Sequence, residues 1–81
     1  ADVMKLEVIR AQLKGDNETA MQLLETIFKK EPAAENAIAL ATHKHSIGDV
    51  NGAIAELQRW LANHPKDIVV RQKLAEIYGS N

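Results

Sequence analysis

The sequence lacks cysteine altogether, which excludes disulfide bridges and thiolate metal sites. Aromatic residues are also scarce, with one Phe, one Trp and one Tyr among 81 residues. Alanine and leucine must therefore fill most of the interior, and they suit closely packed helices better than stacked β-sheets. A chain of this length forms one small domain, in which every apolar face needs a partner because little surface is buried in total.

The sequence also lacks an excess of either positive or negative residues. The chain has 10 Lys and Arg against 11 Asp and Glu, with the two signs interspersed and a formal net charge of −1. A nucleic-acid-binding surface normally shows a concentrated basic patch, so we expect no nucleic-acid partner. No apolar run approaches the roughly 20 residues that span a bilayer, and no signal peptide is visible. We therefore expect no direct insertion into a membrane.

What the sequence does contain is a helical pattern. Apolar residues recur at intervals of three and four along almost the whole chain, as in amphipathic helices. In the first of these segments, Leu6, Ile9 and Leu13 share one side. Short loops between such helices predict antiparallel hairpins in an all-α fold. Three of the five predicted helices cover residues 3–14, 33–47 and 67–78. The second predicted helix lies within residues 15–32 and the fourth within residues 48–65.

Cap and turn residues mark the predicted helix boundaries. Asp49 and Asp67 stand where an N-cap carboxylate would accept backbone N–H bonds, and either Asp16 or Asn17 is expected to cap the second helix. Pro65 ends the fourth helix, and Gly79 is expected to end the last one after Tyr78.

Two segments of the chain are faint copies of each other. GDNETAMQLLETIFKKEP at 15–32 and GDVNGAIAELQRWLANHP at 48–65 share Gly, Asp, Ala, Leu and Pro in register, 33 residues apart. We interpret each as the second helix of a helix–turn–helix repeat, with the glycine in the entry turn. One hairpin cannot cover its own apolar face, so such units stack on one another in sequence order.

This arrangement resembles the tetratricopeptide repeat (TPR), whose pattern is W-x₂-L-G-x₂-Y…A-x₃-F…P over 34 residues. The second unit reads L-A-x₂-K…A-x₃-L…P from Leu40 to Pro65, and the last helix reads L-A-x₂-Y from Leu74 to Tyr78. The first unit matches in its second half, but its opening helix matches poorly. The resemblance implies a right-handed α-solenoid of antiparallel hairpins, with repeat 1 at 1–32, repeat 2 at 33–65 and a terminal helix, or the first half of repeat 3, at 66–81.

The physical basis of the pattern is small residues where helices meet and larger ones between layers. Ala41 and Ala53 let the two helices of a hairpin approach closely, while Leu57 and Leu74 fill the space to the next layer. The chain departs from the family pattern in its 33-residue period and in having Lys44 where tyrosine is usual. An unrelated five-helix bundle is the alternative fold.

In TPR arrays the first helices of successive repeats line a concave channel that accepts an extended peptide or a partner's helix. The subtype that clamps the C-terminal carboxylates of chaperones is not expected, because its asparagine positions hold Ile9 and Ala39. Carried over position by position, the resemblance implies a channel of mixed polarity without a dominant charge. Its predicted lining is Asp2, Lys5, Ile9, Gln12, Glu35, Ile38, Thr42, His45, Val69, Gln72, Lys73 and Glu76.

The combination GDxxGAIAxLQRWLAxHPxD followed by VRxxLAxIY is also similar to repeats of long bacterial TPR proteins associated with exopolysaccharide export and PEP-CTERM sorting. This resemblance implies an envelope-associated part of a longer chain. Both the bacterial cell envelope and the cytoplasm fit the sequence as locations.

The histidines do not support a metal site. His43 and His45 are two residues apart on a predicted helix and point in nearly opposite directions, whereas metal-binding helices place histidines at i and i+4. We expect ordinary surface histidines, and neither a metal nor a cofactor. No nucleophile–base pair, phosphate loop or marked carboxylate pair stands out, so we expect no enzymatic activity.

Trp60 has two interpretations. It is either a stacking aromatic in a binding surface or a residue packed between layers, against the last helix near Val70, Leu74 or Ile77. Its helical phase with Leu57 favours packing.

These patterns predict a non-catalytic scaffold for protein–protein interaction, which binds a peptide or partner helix in the groove or stacks on neighbouring repeats. The alternative is a purely structural spacer within a long TPR protein of bacterial envelope polysaccharide export or protein sorting. The last helix has no following partner, so we expect Ile77 and Tyr78 to stay open and to promote weak self-association.

Overall fold

The computed structural model describes residues 2–79, apart from the side chain of Asp2, and these residues form five α-helices without a strand. Because the loops between them are short, consecutive helices run antiparallel. The all-α fold predicted from the sequence is confirmed. The helices are α1 (Asp2–Leu13), α2 (Asn17–Lys30), α3 (Ala34–Ser46), α4 (Val50–Asn63) and α5 (Ile68–Gly79).

The same turn opens α2 and α4. Gly15 and Gly48 adopt φ of 76° and 90°, the left-handed region that glycine enters without a steric penalty. The following aspartates, Asp16 and Asp49, accept backbone N–H bonds at 3.2 and 2.9 Å from the residue three positions on. Asp67 caps α5 in the same way, at 3.2 Å from the backbone nitrogen of Val70. The predicted N-caps are therefore confirmed.

The larger of two buried clusters joins α3, α4 and α5. Ala41 of α3 and Ala53 of α4 are fully buried, as expected for small residues at a close helix contact. Leu57 is fully buried in the same cluster, and Leu74 of α5 packs against it. These residues therefore join successive layers, as the repeat interpretation predicts.

The second cluster joins α1, α2 and α3 through Val8, Leu24, Ile27 and Leu40. Among the described residues, each helix backbone packs against its neighbours in the chain, and the one additional backbone contact is between α3 and α5. The Cα atoms extend over 32 × 27 × 14 Å. A thin body with contacts in chain order indicates stacked layers rather than a bundle closed around one centre.

On α1, the apolar side indicated by the sequence is not the side that packs. Leu6, Ile9 and Leu13 are more than half exposed, with Leu13 at 82%, whereas Val8 and Ala11 are buried. Apolar residues occupy both sides of this helix, so periodicity alone does not identify the side that meets α2. Tertiary packing selects the side of Val8 and Ala11.

The end of α5 is less open than the sequence predicts. Tyr78 is 53% exposed, but Ile77 is buried, so the expectation that both stay open is wrong for Ile77. Ile77 lies seven residues after Val70 and on the same side of the helix, which packs against α3 and α4. Gly79 is the last residue of α5 rather than a stop after Tyr78.

Trp60 joins three elements near the end of α4. Its ring packs against the larger cluster, as one of the two interpretations predicts, and it meets Phe28 of α2 edge-on at 6.0 Å between ring centroids. The indole also stacks on the ring of His64, at 3.9 Å between ring centroids. Its Nε1–H donates to Oδ2 of Asp67 at 2.8 Å, a bond that ties α4 to the cap of α5. This bond lowers the pKa of Asp67, with help from the backbone N–H of Val70.

Leu57→Ala tests the larger cluster. We expect the free energy of unfolding to fall by about 2–5 kcal/mol, because a buried leucine leaves a cavity that its neighbours fill only in part. Urea denaturation measures this quantity. Leu13→Ala is the matched control, since Leu13 is 82% exposed, and it should change the same free energy by less than about 0.5 kcal/mol. Equal losses in the two variants would contradict the described core.

The Trp60–Asp67 bond makes stability depend on pH in a defined direction. Since folding lowers the pKa of Asp67, this carboxylate stabilises the fold above its unfolded-state pKa of about 3.9. That contribution disappears as the pH falls through the folded-state pKa. Trp60→Phe removes the donor, so the pKa of Asp67 should rise towards its ordinary value.

Carboxyl NMR titration of both proteins measures the change at Asp67. The internal control is Asp16, whose pKa is lowered by hydrogen bonds from Thr19 and should not respond to the substitution. An unchanged Asp67 titration in Trp60→Phe would show that the indole bond has no influence on this carboxyl group.

Candidate functional site

A groove of about 660 Å³ lies between α1 and α3. No Cα atom of α1 lies within 8 Å of a Cα atom of α3, whereas the backbones of α3 and α5 are in contact. α2 lies beneath the gap and supplies its floor. The groove lining consists of Lys5, Val8, Ile9, Gln12, Asn17, Leu24, Ile27, Glu35, Asn36, Ala39, Thr42, His43 and Ser46.

The structure brings together part of the predicted channel lining. Five of the predicted side chains border the groove: Lys5, Ile9, Gln12, Glu35 and Thr42.

The other predicted residues lie elsewhere. Ile38 packs against the larger buried cluster, and His45 is half-buried outside the groove. The α5 residues Val69, Gln72, Lys73 and Glu76 do not border it, because α5 packs directly against α3 and leaves no comparable gap. The side chain of Asp2 falls outside the described residues.

The floor of the groove is apolar. Val8 of α1 and Leu24 and Ile27 of α2 are buried beneath it, and Ile9 forms an exposed apolar part of the α1 wall. Opposite Ile9, the α3 wall carries the small side chain of Ala39. A largely apolar concavity with a few polar groups at its edge is the usual form of a ligand-binding site.

A buried histidine closes one end of the groove. His43 is only 3% exposed, so the expectation of a surface residue is wrong. Its Nε2 lies 3.3 Å from the carbonyl oxygen of Asn17, and its Nδ1 lies 3.2 Å from Nε2 of Gln12. A carbonyl only accepts, so we assign the proton to Nε2, and Nδ1 accepts from the Gln12 amide. This network bridges α1 and α3 where their backbones stay apart.

A buried asparagine lies towards the other end. Asn36 is 5% exposed and borders the groove. Its Nδ2 donates to the backbone carbonyl oxygen of Glu31 at 2.6 Å, which fixes the orientation of the amide. Lys5 and Glu35 border the same end and supply one charge of each sign. The groove therefore has an apolar middle and two polar ends.

The predicted groove lining did not include Asn36 or His43, although the sequence contained a signal for both. Together with Leu40 they form the side of α3 that packs towards α2. Thirty-four residues further on, Val70 and Ile77 stand at the equivalent positions of α5. Asn36 and His43 are thus polar residues at positions where the neighbouring repeat has aliphatic ones, and this difference is the signal.

The lysine at the usual tyrosine position has a structural explanation. Nζ of Lys44 lies 2.8 Å from Oε1 of Glu56, which is buried on α4, and Arg59 approaches the same oxygen at 3.5 Å. The pair links the two helices of the second hairpin. A buried carboxylate needs such partners, since leaving it unpaired would be costly.

The described residues contain no cluster of three or more metal-ligating side chains. No helix in the described range has the length and apolar character needed to cross a membrane.

The comparisons with known proteins agree with the repeat pattern. The family profile described as tetratricopeptide repeat matches residues 11–77, which is most of the chain. The match begins inside α1, in keeping with the poor fit of the opening helix to the pattern. Comparisons with curated proteins and with solved structures gave no match. The chain therefore belongs to the tetratricopeptide repeat family.

Proposed function

We propose that this domain is a non-catalytic interaction module that binds a peptide or a partner's helix in the groove between α1 and α3. TPR repeats are generally protein–protein interaction modules. The observation that carries the proposal is the groove itself, with about 660 Å³ of space above a buried apolar floor. This volume lies within the usual range for ligand-binding pockets of about 300–1,000 Å³.

The position of the groove limits where a ligand would lie. The backbones of α3 and α5 are in contact, whereas those of α1 and α3 are not, so we expect the ligand between α1 and α3. A ligand there would bury the exposed side chain of Ile9 and contact the floor formed by Val8, Leu24 and Ile27. Burial of these apolar groups would supply the favourable free energy of binding, and the polar ends would set the register.

A structural spacer is the alternative function. Both ends of the array expose apolar side chains, with Val3 and Leu13 on α1 and Ile68 and Val69 on α5. Such surfaces favour stacking on neighbouring repeats of a longer solenoid. The more specific role in bacterial envelope polysaccharide export or protein sorting stays a prediction.

Ala39→Arg tests groove binding. Ala39 is exposed on the α3 wall, so arginine would fill the groove without disturbing the buried clusters. Peptides are first selected from a random decapeptide library displayed on phage, using the unaltered domain as target. We expect Ala39→Arg to weaken binding of the selected peptides at least tenfold, about 1.4 kcal/mol, as measured by isothermal titration calorimetry.

Ala55→Arg is the matched control, because Ala55 is an exposed alanine of α4 outside the groove. Its affinity for the selected peptides should equal that of the unaltered domain. If no selected peptide binds more weakly to Ala39→Arg than to the unaltered domain, the spacer role is favoured over groove binding.

Self-association through α5 is a separate prediction, and it now rests on Ile68, Val69 and Tyr78, which are all exposed. We expect the weight-average mass in sedimentation equilibrium to rise with concentration towards the millimolar range. Val69→Glu should suppress the rise by placing a charge in the contact, while Leu13→Glu, at the opposite end of the array, should leave it unchanged. A strict monomer at millimolar concentration would contradict the prediction.

A further inference from the structure

One peptide bond in the chain joins an asparagine to a glycine, between Asn51 and Gly52 in the first turn of α4. This pair is chemically reactive, because glycine has no side chain to hinder the approach of its backbone nitrogen to the neighbouring side-chain amide. Asn51 is exposed, so water has access to that amide. Asn17, Asn36 and Asn63 precede residues with side chains and are less reactive for that reason.

The folded turn withholds the nucleophile of the reaction. The backbone N–H of Gly52 donates to Oδ1 of Asp49 at 2.9 Å. Attack needs this nitrogen without its proton, and an amide anion beside a carboxylate is unfavourable. Asn51 also lies within the helix, whereas the cyclic imide formed by attack holds ψ of the asparagine far from the helical value of about −42°. The pair therefore reacts only when this turn opens.

The cap of α4 is tight because residue 52 is glycine. A Cβ at this position would overlap the carboxylate of Asp49. Thr19 occupies the equivalent position of the first repeat, and its bond to Asp16 is longer, at 3.2 Å. The first repeat also has Glu18 at the position of the reactive asparagine, so it lacks the pair. The second repeat thus combines a short cap bond with two residues that react when that bond opens.

We propose that Asn51 is a site of spontaneous deamidation, and that opening of the first turn of α4 sets its rate. In the open turn the Gly52 nitrogen bonds to Cγ of Asn51, the Cγ–Nδ2 bond breaks, and the amide group leaves as ammonia with the Gly52 proton. Water then adds to either carbonyl carbon of the cyclic imide and breaks the bond from that carbon to the ring nitrogen. The products are aspartate and isoaspartate at position 51, with no change of oxidation state.

The two products affect α4 differently. Aspartate gives its first turn an acidic residue, as Glu18 does in α2, and negative charge suits the N-terminal end of a helix. Isoaspartate instead adds a carbon atom to the backbone between Asp49 and Gly52, which disrupts the spacing of the cap. Ala53 follows directly and is fully buried in the larger cluster, so the isoaspartate form loses part of that packing.

The test follows the reaction in the unaltered protein. After incubation in slightly alkaline buffer, ion-exchange chromatography and peptide mapping by mass spectrometry give the rate at each asparagine. Both products add a negative charge to the formal net charge of −1, so they separate from the starting protein. A synthetic peptide of residues 47–56 gives the rate without a folded turn. We expect Asn51 to react faster than Asn63, and at least about tenfold slower than in the peptide, because the turn is rarely open.

Asp49→Ala and Asp16→Ala form a matched pair that separates local opening from unfolding of the whole domain. Each variant loses one aspartate cap. Loss of a cap raises the population of the open turn about fivefold at its own helix. We therefore expect Asp49→Ala to accelerate deamidation of Asn51 by about this factor and Asp16→Ala to leave the rate unchanged.

Hydrogen exchange at the Gly52 amide supplies a second measurement that needs no variant. Exchange requires the bond to Asp49 to open, and deamidation requires this opening and a change in ψ of Asn51 as well. Folding should therefore slow deamidation at least as much as it slows exchange of this amide.

Several results would overturn the proposal. Asn51 in the folded protein could react no faster than Asn63, or as fast as it does in the peptide. Equal acceleration by Asp49→Ala and Asp16→Ala would show that the reaction requires global unfolding instead of local opening. If Asp49→Ala does not fold, the unaltered protein decides, since deamidation that folding slows less than Gly52 exchange contradicts control by this turn.

Discussion

The packing of α3 against α4, where Ala41 and Ala53 are both fully buried, sets the geometry on which the other layers depend. Both side chains are fully buried, so α3 and α4 approach as closely as a methyl group on each helix permits. This pair presents Leu57 to α5, and α5 closes over it with Val70. A larger residue at either alanine would separate the helices and remove the surface on which α5 packs. The second hairpin thus provides the surface on which α5 packs.

The two gaps on the concave side differ because their walls differ. α5 packs on α3 and α4 through aliphatic residues, Val70 and Ile77, and the backbones of α3 and α5 meet. At the equivalent positions α3 carries Asn36 and His43, whose side chains form hydrogen bonds with Glu31, Asn17 and Gln12. The groove therefore lies beside the helix that has polar residues, rather than aliphatic ones, at these two repeat positions.

The sequence predicted those features that depend on local chemistry. The aspartate caps, the two glycine turns and the small residues of the second hairpin follow from backbone preferences and helical phase, and the structure confirms them. Features that depend on how whole helices pack against one another could not be predicted from local chemistry. Periodicity gave no choice between the two apolar sides of α1, and spacing alone could not show that α5 leaves no gap beside α3.

Buried polar residues reduce the apolar surface that can stabilise so small a domain, so the presence of Asn36 and His43 requires an explanation. A chain of 81 residues buries a limited apolar surface, and aliphatic side chains in place of Asn36 and His43 would add to it, as Val70 and Ile77 do on α5. Every buried nitrogen or oxygen among the described side chains has a hydrogen-bond partner, so the polar pair is tolerated rather than favourable. Natural proteins depart from the best packing mainly at functional sites. The departure at Asn36 and His43, which border the groove between α1 and α3, therefore supports the proposed binding role of that groove.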